Sequence, residues 1–200
     1  NLMLPESNSS FNFKPSSFDK NSDILLINLF DLIKGKDITY YNIYKGFSEY
    51  CADIKEPFAL CGLSLGGIIA LQYGIENPDK LNSAVLIGIQ YKIPKRLLKF
   101  QNLIFKFMPE KAFEDTGIGK NDFINLSESM MNLNFTDNLG NLKCPTLILC
   151  GEKDNANKKS ACQLNDILKN SQIKIIENAG HEVNIQNPKV LSDILFDFWH

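Results

Sequence analysis

Histidine is scarce in this chain, with only His181 and His200 among 200 residues, and Arg96 is the single arginine. Two histidines and no Cys-x-x-Cys pair leave a zinc centre short of ligands at the usual spacing. One arginine leaves no set of guanidinium forks to clamp phosphate or carboxylate. A net charge of −2 and a pI near 5.7 provide no broad basic surface for nucleic acid or an anionic membrane. No apolar run is long enough to span a bilayer, and no secretory signal pattern occurs. The five cysteines, Cys51, Cys61, Cys144, Cys150 and Cys162, are odd in number. They read as reduced thiols, mostly buried, not as a disulfide framework. These absences set the expectation of a cytoplasmic protein without a metal, acting on a small molecule and without a nucleic-acid or membrane partner. They leave the oligomeric state open.

Hydrophobic residues make up 44% and charged residues 22%, enough apolar material for one globular domain with a sizeable core. Apolar runs at 2–4, 24–29, 58–61, 84–87, 146–150 and 173–176 read as strands. The run at 24–29 is apolar at successive positions, as in a central strand covered on both faces. Helical spacing between and after the runs, at 40–51, 68–73, 158–168 and 188–199, makes the pattern α/β: a mainly parallel sheet flanked by helices. Residues 91–142 break this rhythm, being too long for a strand-to-helix connection. Leu97, Phe100, Ile104, Phe107 and Met108 fall at helical spacing there, with Lys92, Lys95, Lys99 and Lys106 as a solvated face. The expected division is a core of 1–90 and 143–200 with an inserted helical cap at 91–142. The apolar cap residues read either as the underside of packed helices or as the wall of an apolar cavity, with Phe105, Met108 and Met130 the candidate substrate contacts.

The stretch Cys61-Gly62-Leu63-Ser64-Leu65-Gly66-Gly67 stands between an apolar run and a helical one. A bare G-x-S-x-G arises by chance in roughly one chain in fifteen of this size, so the flanking pattern matters more than the motif. A serine raised on a sharp strand-to-helix turn needs small neighbours two residues before and after it, which Gly62 and Gly66 supply. Ser64 needs a base to act as a nucleophile at neutral pH. His200 ends the chain and is poorly held. His181 follows the last strand, at the carboxyl edge where open α/β sheets gather their chemistry. The partner carboxylate belongs at another strand end, and Cys150-Gly151-Glu152-Lys153-Asp154 offers Asp154 first and Glu152 second. An oxyanion would take one N–H from Leu65 and another from the loop after the first strand. Pro5 has no N–H there, which leaves Glu6 or Ser7, with Ser7 favoured.

The elbow Gly62-Leu63-Ser64-Leu65-Gly66-Gly67, the Gly151-x-x-Asp154 turn and the Ala179-Gly180-His181 turn together resemble the α/β-hydrolase superfamily, in its small capped esterase-like branch, from Leu2 to the end of the chain. The resemblance implies a catalytic triad of Ser64, Asp154 and His181, no cofactor, and hydrolysis of a small, largely apolar ester or thioester through an acyl-enzyme. Two departures stand out. Pro5-Glu6 occupies the place of the family's His-Gly pair, and there is no room for an N-terminal hairpin, so a sheet short of its first strands would expose an edge. The first departure keeps a second reading open, that of a ligand-binding or interaction protein on the same fold. Acyl transfer or C–C hydrolysis at the same three residues is a third.

Overall fold

The computed structural model describes residues 2–6 and 24–200; the side chains of residues 2–6, 97, 115 and 116 lie outside the description. Strand β1 (Leu2–Glu6) is followed by β2 (Ile24–Asn28), a 3₁₀ turn at Leu29–Ile33, α1 (Tyr40–Ala52), β3 (Phe58–Leu63), α2 (Leu65–Glu76) and β4 (Leu81–Ile87). Between β4 and the next strand come α3 (Lys95–Phe107), a 3₁₀ turn at Glu110–Thr116, α4 (Lys120–Ser129) and a 3₁₀ turn at Thr136–Asn141. The chain closes with β5 (Thr146–Gly151), α5 (Asn155–Ile167), β6 (Ser171–Ile176), α6 (Val183–Gln186) and α7 (Pro188–Trp199).

All six described strands run parallel in the order β2-β1-β3-β4-β5-β6. A parallel sheet needs helices on both faces, so its inner strands are apolar throughout. Every residue of β5 is buried, and β4 exposes only Asn82. The period-2 alternation of strand side chains then divides the core. Leu60, Ala84, Leu86, Ile148 and Cys150 face α1, α2 and α5. Cys61, Val85, Ile87, Leu147 and Leu149 face Val183, Leu191 and Leu195. Each fully buried aliphatic side chain contributes about 1.5–3 kcal/mol.

Among the described residues β2 is the outermost strand, with Leu25 and Leu26 37% and 52% exposed. From β1 the described strands step out to β2 and return over β1 through α1 to β3. The direction of winding reverses between β1 and β3, and the crevice of an open α/β sheet forms at such a point.

The segment between β4 and β5 is tied to the core by hydrogen bonds. Ser129 at the end of α4 accepts from the Tyr40 amide at 2.8 Å, satisfying a first-turn N–H of α1, and donates to the Leu126 carbonyl at 2.7 Å. Tyr40 in turn donates to Gln72 on α2 at 2.7 Å, Gln72 donates to Glu76 at 2.8 Å, and Tyr44 donates to Glu76. Burial and the Glu76 carboxylate push both phenols well above their usual range, so they remain donors.

Candidate active site

The turn from β3 to α2 places Ser64 at φ 53° and ψ −116°, a left-handed φ that non-glycine residues rarely take. Two interactions hold it there. The Ser64 amide donates to the Ile87 carbonyl of β4 at 2.9 Å, and its carbonyl accepts from Ile68 at 3.0 Å. The turn is also closed by backbone against backbone. A Cβ on Gly62 would stand 2.3 Å from the Gly66 carbonyl carbon, and one on Gly67 would stand 2.7 Å from the Gly62 carbonyl oxygen. Neither position admits a side chain. Leu65 begins α2, so its N–H has no carbonyl one turn back and is available to a developing negative charge. The other expected oxyanion donor, Ser7, lies outside the described residues.

Asp154 is the N-cap of α5 and 6% exposed. Its Oδ1 accepts from the Asn157 amide at 3.3 Å and from Asn157 Nδ2 at 3.1 Å. Its Oδ2 accepts from Asn157 Nδ2 at 2.9 Å and lies 2.8 Å from His181 Nδ1. A carboxylate only accepts, so the imidazole proton sits on Nδ1 and Nε2 is left as the acceptor. Glu152, the second candidate, is occupied differently: its Oε2 accepts from the Asn178 amide at 3.0 Å. That contact steadies the loop leading to His181, where Asn178 takes φ 58°. His200 stacks on Phe196 with ring centroids 4.3 Å apart, at the far end of α7.

Register brings Gly88, against which the imidazole rests, next to the serine. Leu63 pairs with Ile87, so Ser64 and Gly88 are neighbours just past the ends of β3 and β4, about 5 Å apart as adjacent strands are. Gly88 has φ 57°, and a Cβ there would lie 3.0 Å from His181 Nδ1 and 3.3 Å from Asp154 Oδ2. The histidine–aspartate pair therefore rests on the bare backbone beside Ser64. Gly88 and Asn157 are positions of this candidate site that the sequence reading missed. Asn157 carried a signal, because an acceptor three residues before an amide side chain at a helix start is a capping spacing. Gly88 carried none, since only packing of a distant loop makes it special.

Elsewhere the expected chemistry narrows. Cys61, three residues before Ser64, is buried, and burial pushes its thiol far above the range where it ionises. Cys150 is pushed up to about 12, first by burial and then by Asp154. Neither is a nucleophile at neutral pH. Among the described residues no His, Cys, Asp and Glu group has the arrangement of a metal centre. Of the expected substrate contacts, Phe105 packs edge-on against Phe113 and Phe123, with centroids 5.8 and 5.3 Å apart. Met108 is half-buried, and Met130 packs against the larger core.

Comparison with known proteins places this geometry in context. The family model for serine aminopeptidase, S33, matches residues 44–130. The chain is 25% identical to monoacylglycerol lipase abhd6-B of Xenopus laevis, over 80% of this chain and 62% of that protein. It is 24% identical to monoacylglycerol lipase ABHD6 of Homo sapiens, over 72% of this chain and 55% of that protein. The chain thus spans little more than half the length of these relatives. Among solved structures, MGS-M2, an α/β hydrolase from a Medee basin deep-sea metagenome library, superposes with a TM-score of 0.80 at 18% identity, over 100% of this chain and 89% of that one. The enol-lactonase from Burkholderia xenovorans LB400 gives 0.75 at 15% identity, over 99% and 90%.

These relatives overturn the cytoplasmic placement. Monoacylglycerol is a lipid that partitions into membranes, and buried thiols do not separate an enzyme dissolved in the cytosol from one working at a lipid surface. Among the described residues no helix is long and apolar enough to cross a membrane. The elbow at the sheet's switch point, the parallel strand order and the likeness to these structures show that the chain has the α/β-hydrolase fold.

Proposed function

We propose that the chain is a serine hydrolase that cleaves a largely apolar carboxylic ester, of the monoacylglycerol class, through an acyl-enzyme. The observation that carries this reading is the 2.8 Å contact of His181 Nδ1 with Asp154 Oδ2, seated on Gly88 beside the strained turn of Ser64. In the reaction, His181 Nε2 takes the Ser64 proton as Oγ attacks the acyl carbon. Asp154 holds the imidazole in the required tautomer and stabilises the imidazolium. The Leu65 N–H donates to the oxyanion, and His181 returns the proton to the leaving alcohol. Water then enters by the same steps and releases the acid. No cofactor takes part in this scheme.

Residues 91–142 act as the cap over the carboxyl edge, with Phe105, Met108 and Met130 contributing apolar surface for the acyl chain. The relatives named as monoacylglycerol lipases support the substrate class. The test is a series of p-nitrophenyl and monoacylglycerol esters of increasing chain length, assayed with the parent protein and Ser64→Ala. Turnover by the parent with at least about a thousandfold loss in the variant is expected. Equal background rates for the two would favour the ligand-binding alternative, to which Glu6 at the family's Gly position lends weight.

A further inference from the structure

Helix α3 presents its apolar stripe outward. Phe100, Leu103, Ile104 and Phe107 are 62%, 54%, 46% and 83% exposed. At 100° per residue these four positions lie within one face about 100° wide. Asn102, at 3% exposed, and the half-buried Leu98 and Phe105 occupy the opposite face. That inner face packs on the neighbouring elements: Asn102 accepts from Ser127 at 2.7 Å, and Phe105 meets the Phe113 and Phe123 rings. The helical spacing of Phe100, Ile104 and Phe107 therefore marks a stripe that faces outward.

The charge on this helix is one-sided. Lys95, Arg96, Lys99 and Lys106 are exposed, and α3 contains no acidic residue, although the whole chain carries −2. Arg96 falls at the start of the apolar stripe, and Lys95, Lys99 and Lys106 run along one flank of it. Lys106 also pairs with Glu128 of α4 at 3.3 Å, and Glu110, Glu114 and Asp115 follow only in the next turn. An exposed Phe- and Leu-bearing face bordered by cations is the pattern of a helix that lies in a lipid–water interface. There the apolar side chains enter by about 5–10 Å and the cations meet lipid phosphates.

We propose that α3 docks the protein on an anionic lipid surface, with Phe100, Leu103, Ile104 and Phe107 inserted and Arg96 and Lys99 at the phosphate level. The proposal commits to a lipid surface over a second copy of the chain, because α3 has no acidic partner of its own for a symmetric contact between two such helices. It does not depend on turnover at Ser64, and vesicle binding reads it separately from hydrolysis.

The test is co-sedimentation of the full chain with vesicles of phosphatidylcholine alone, and of phosphatidylcholine with about 30% phosphatidylglycerol. Partitioning onto the anionic vesicles is expected to exceed that onto neutral ones by about tenfold or more at low salt, and to weaken as salt rises. Phe100→Ser with Phe107→Ser should lower it at least about tenfold, and Arg96→Gln with Lys99→Gln should remove the preference for anionic lipid. Both pairs alter exposed side chains, so unchanged circular dichroism and melting temperature check the fold. The same partitioning for parent and variants, or none onto either vesicle, would overturn the proposal. So would a lipid-free dimer, seen by sedimentation velocity, that Phe100→Ser with Phe107→Ser dissolves.

Discussion

Asp154→Asn should lower kcat by about 10³–10⁴-fold with little change in melting temperature. The cause is the tautomer. As a carboxylate, Asp154 Oδ2 can only accept, so His181 carries its proton on Nδ1 and Nε2 is left bare to take the Ser64 proton in the proposed reaction. An amide at 154 can turn its NH₂ toward Nδ1. The imidazole proton then moves to Nε2, where a donor faces a donor and no proton can be taken from Ser64. Two comparisons separate this from a general loss of charge. Glu152→Gln should leave kcat within about threefold, because that carboxylate serves the Asn178 amide and not the imidazole. Asn157→Leu should fall between them, at about tenfold, because it removes the side-chain donor that spans both Asp154 oxygens. Steady-state kinetics on one ester across the three variants supplies the ranking. A loss for Glu152→Gln as large as for Asp154→Asn would move the acid to the other carboxylate.

Gly151→Ala should cost roughly 3–5 kcal/mol of stability, lowering the melting temperature by about 10 °C. A Cβ at this position would stand 2.0 Å from the Gly180 carbonyl oxygen and 2.5 Å from that of Ala179. Both are backbone atoms and cannot rotate away. The contact is where the two loops of the site lean on each other, since the Lys153 amide donates to the Ala179 carbonyl at 2.8 Å and the Glu152 amide to Ile176 at 2.9 Å. Relieving the clash separates the strand end that carries Asp154 from the loop that carries His181. Activity should therefore fall even well below the melting temperature, by more than the unfolded fraction accounts for. Circular dichroism melts and assays at low temperature test the two effects separately. By contrast, Gly140→Ala should be nearly neutral, because nothing lies within 4 Å of a Cβ there.

Much of this was legible in the residues. The elbow could be read because its glycines answer a local demand, the close approach of a strand and the helix that follows it. The strands β3, β4 and β5 could be read because central parallel strands are apolar throughout. Asp154 ranked above Glu152 on position alone; in the structure Asp154 caps α5 and meets the His181 imidazole, while Glu152 meets the Asn178 amide. What stayed hidden depends on distant parts of the chain. Gly88 matters through a histidine 93 positions later. For α3, periodicity revealed a stripe and the lysines along it, but not which way the stripe faced. The cytoplasmic assignment failed for a related reason, since thiol usage reports redox state and not attachment to lipid.

The central claim is that Ser64 is a nucleophile activated by His181. A fluorophosphonate probe, followed by peptide mass spectrometry, measures it most directly. Stoichiometric phosphonylation of the peptide containing Ser64 is expected, with the labelling rate cut at least about a hundredfold by His181→Ala. Folded protein that takes no label at Ser64, or takes it equally fast without the imidazole, would contradict the account.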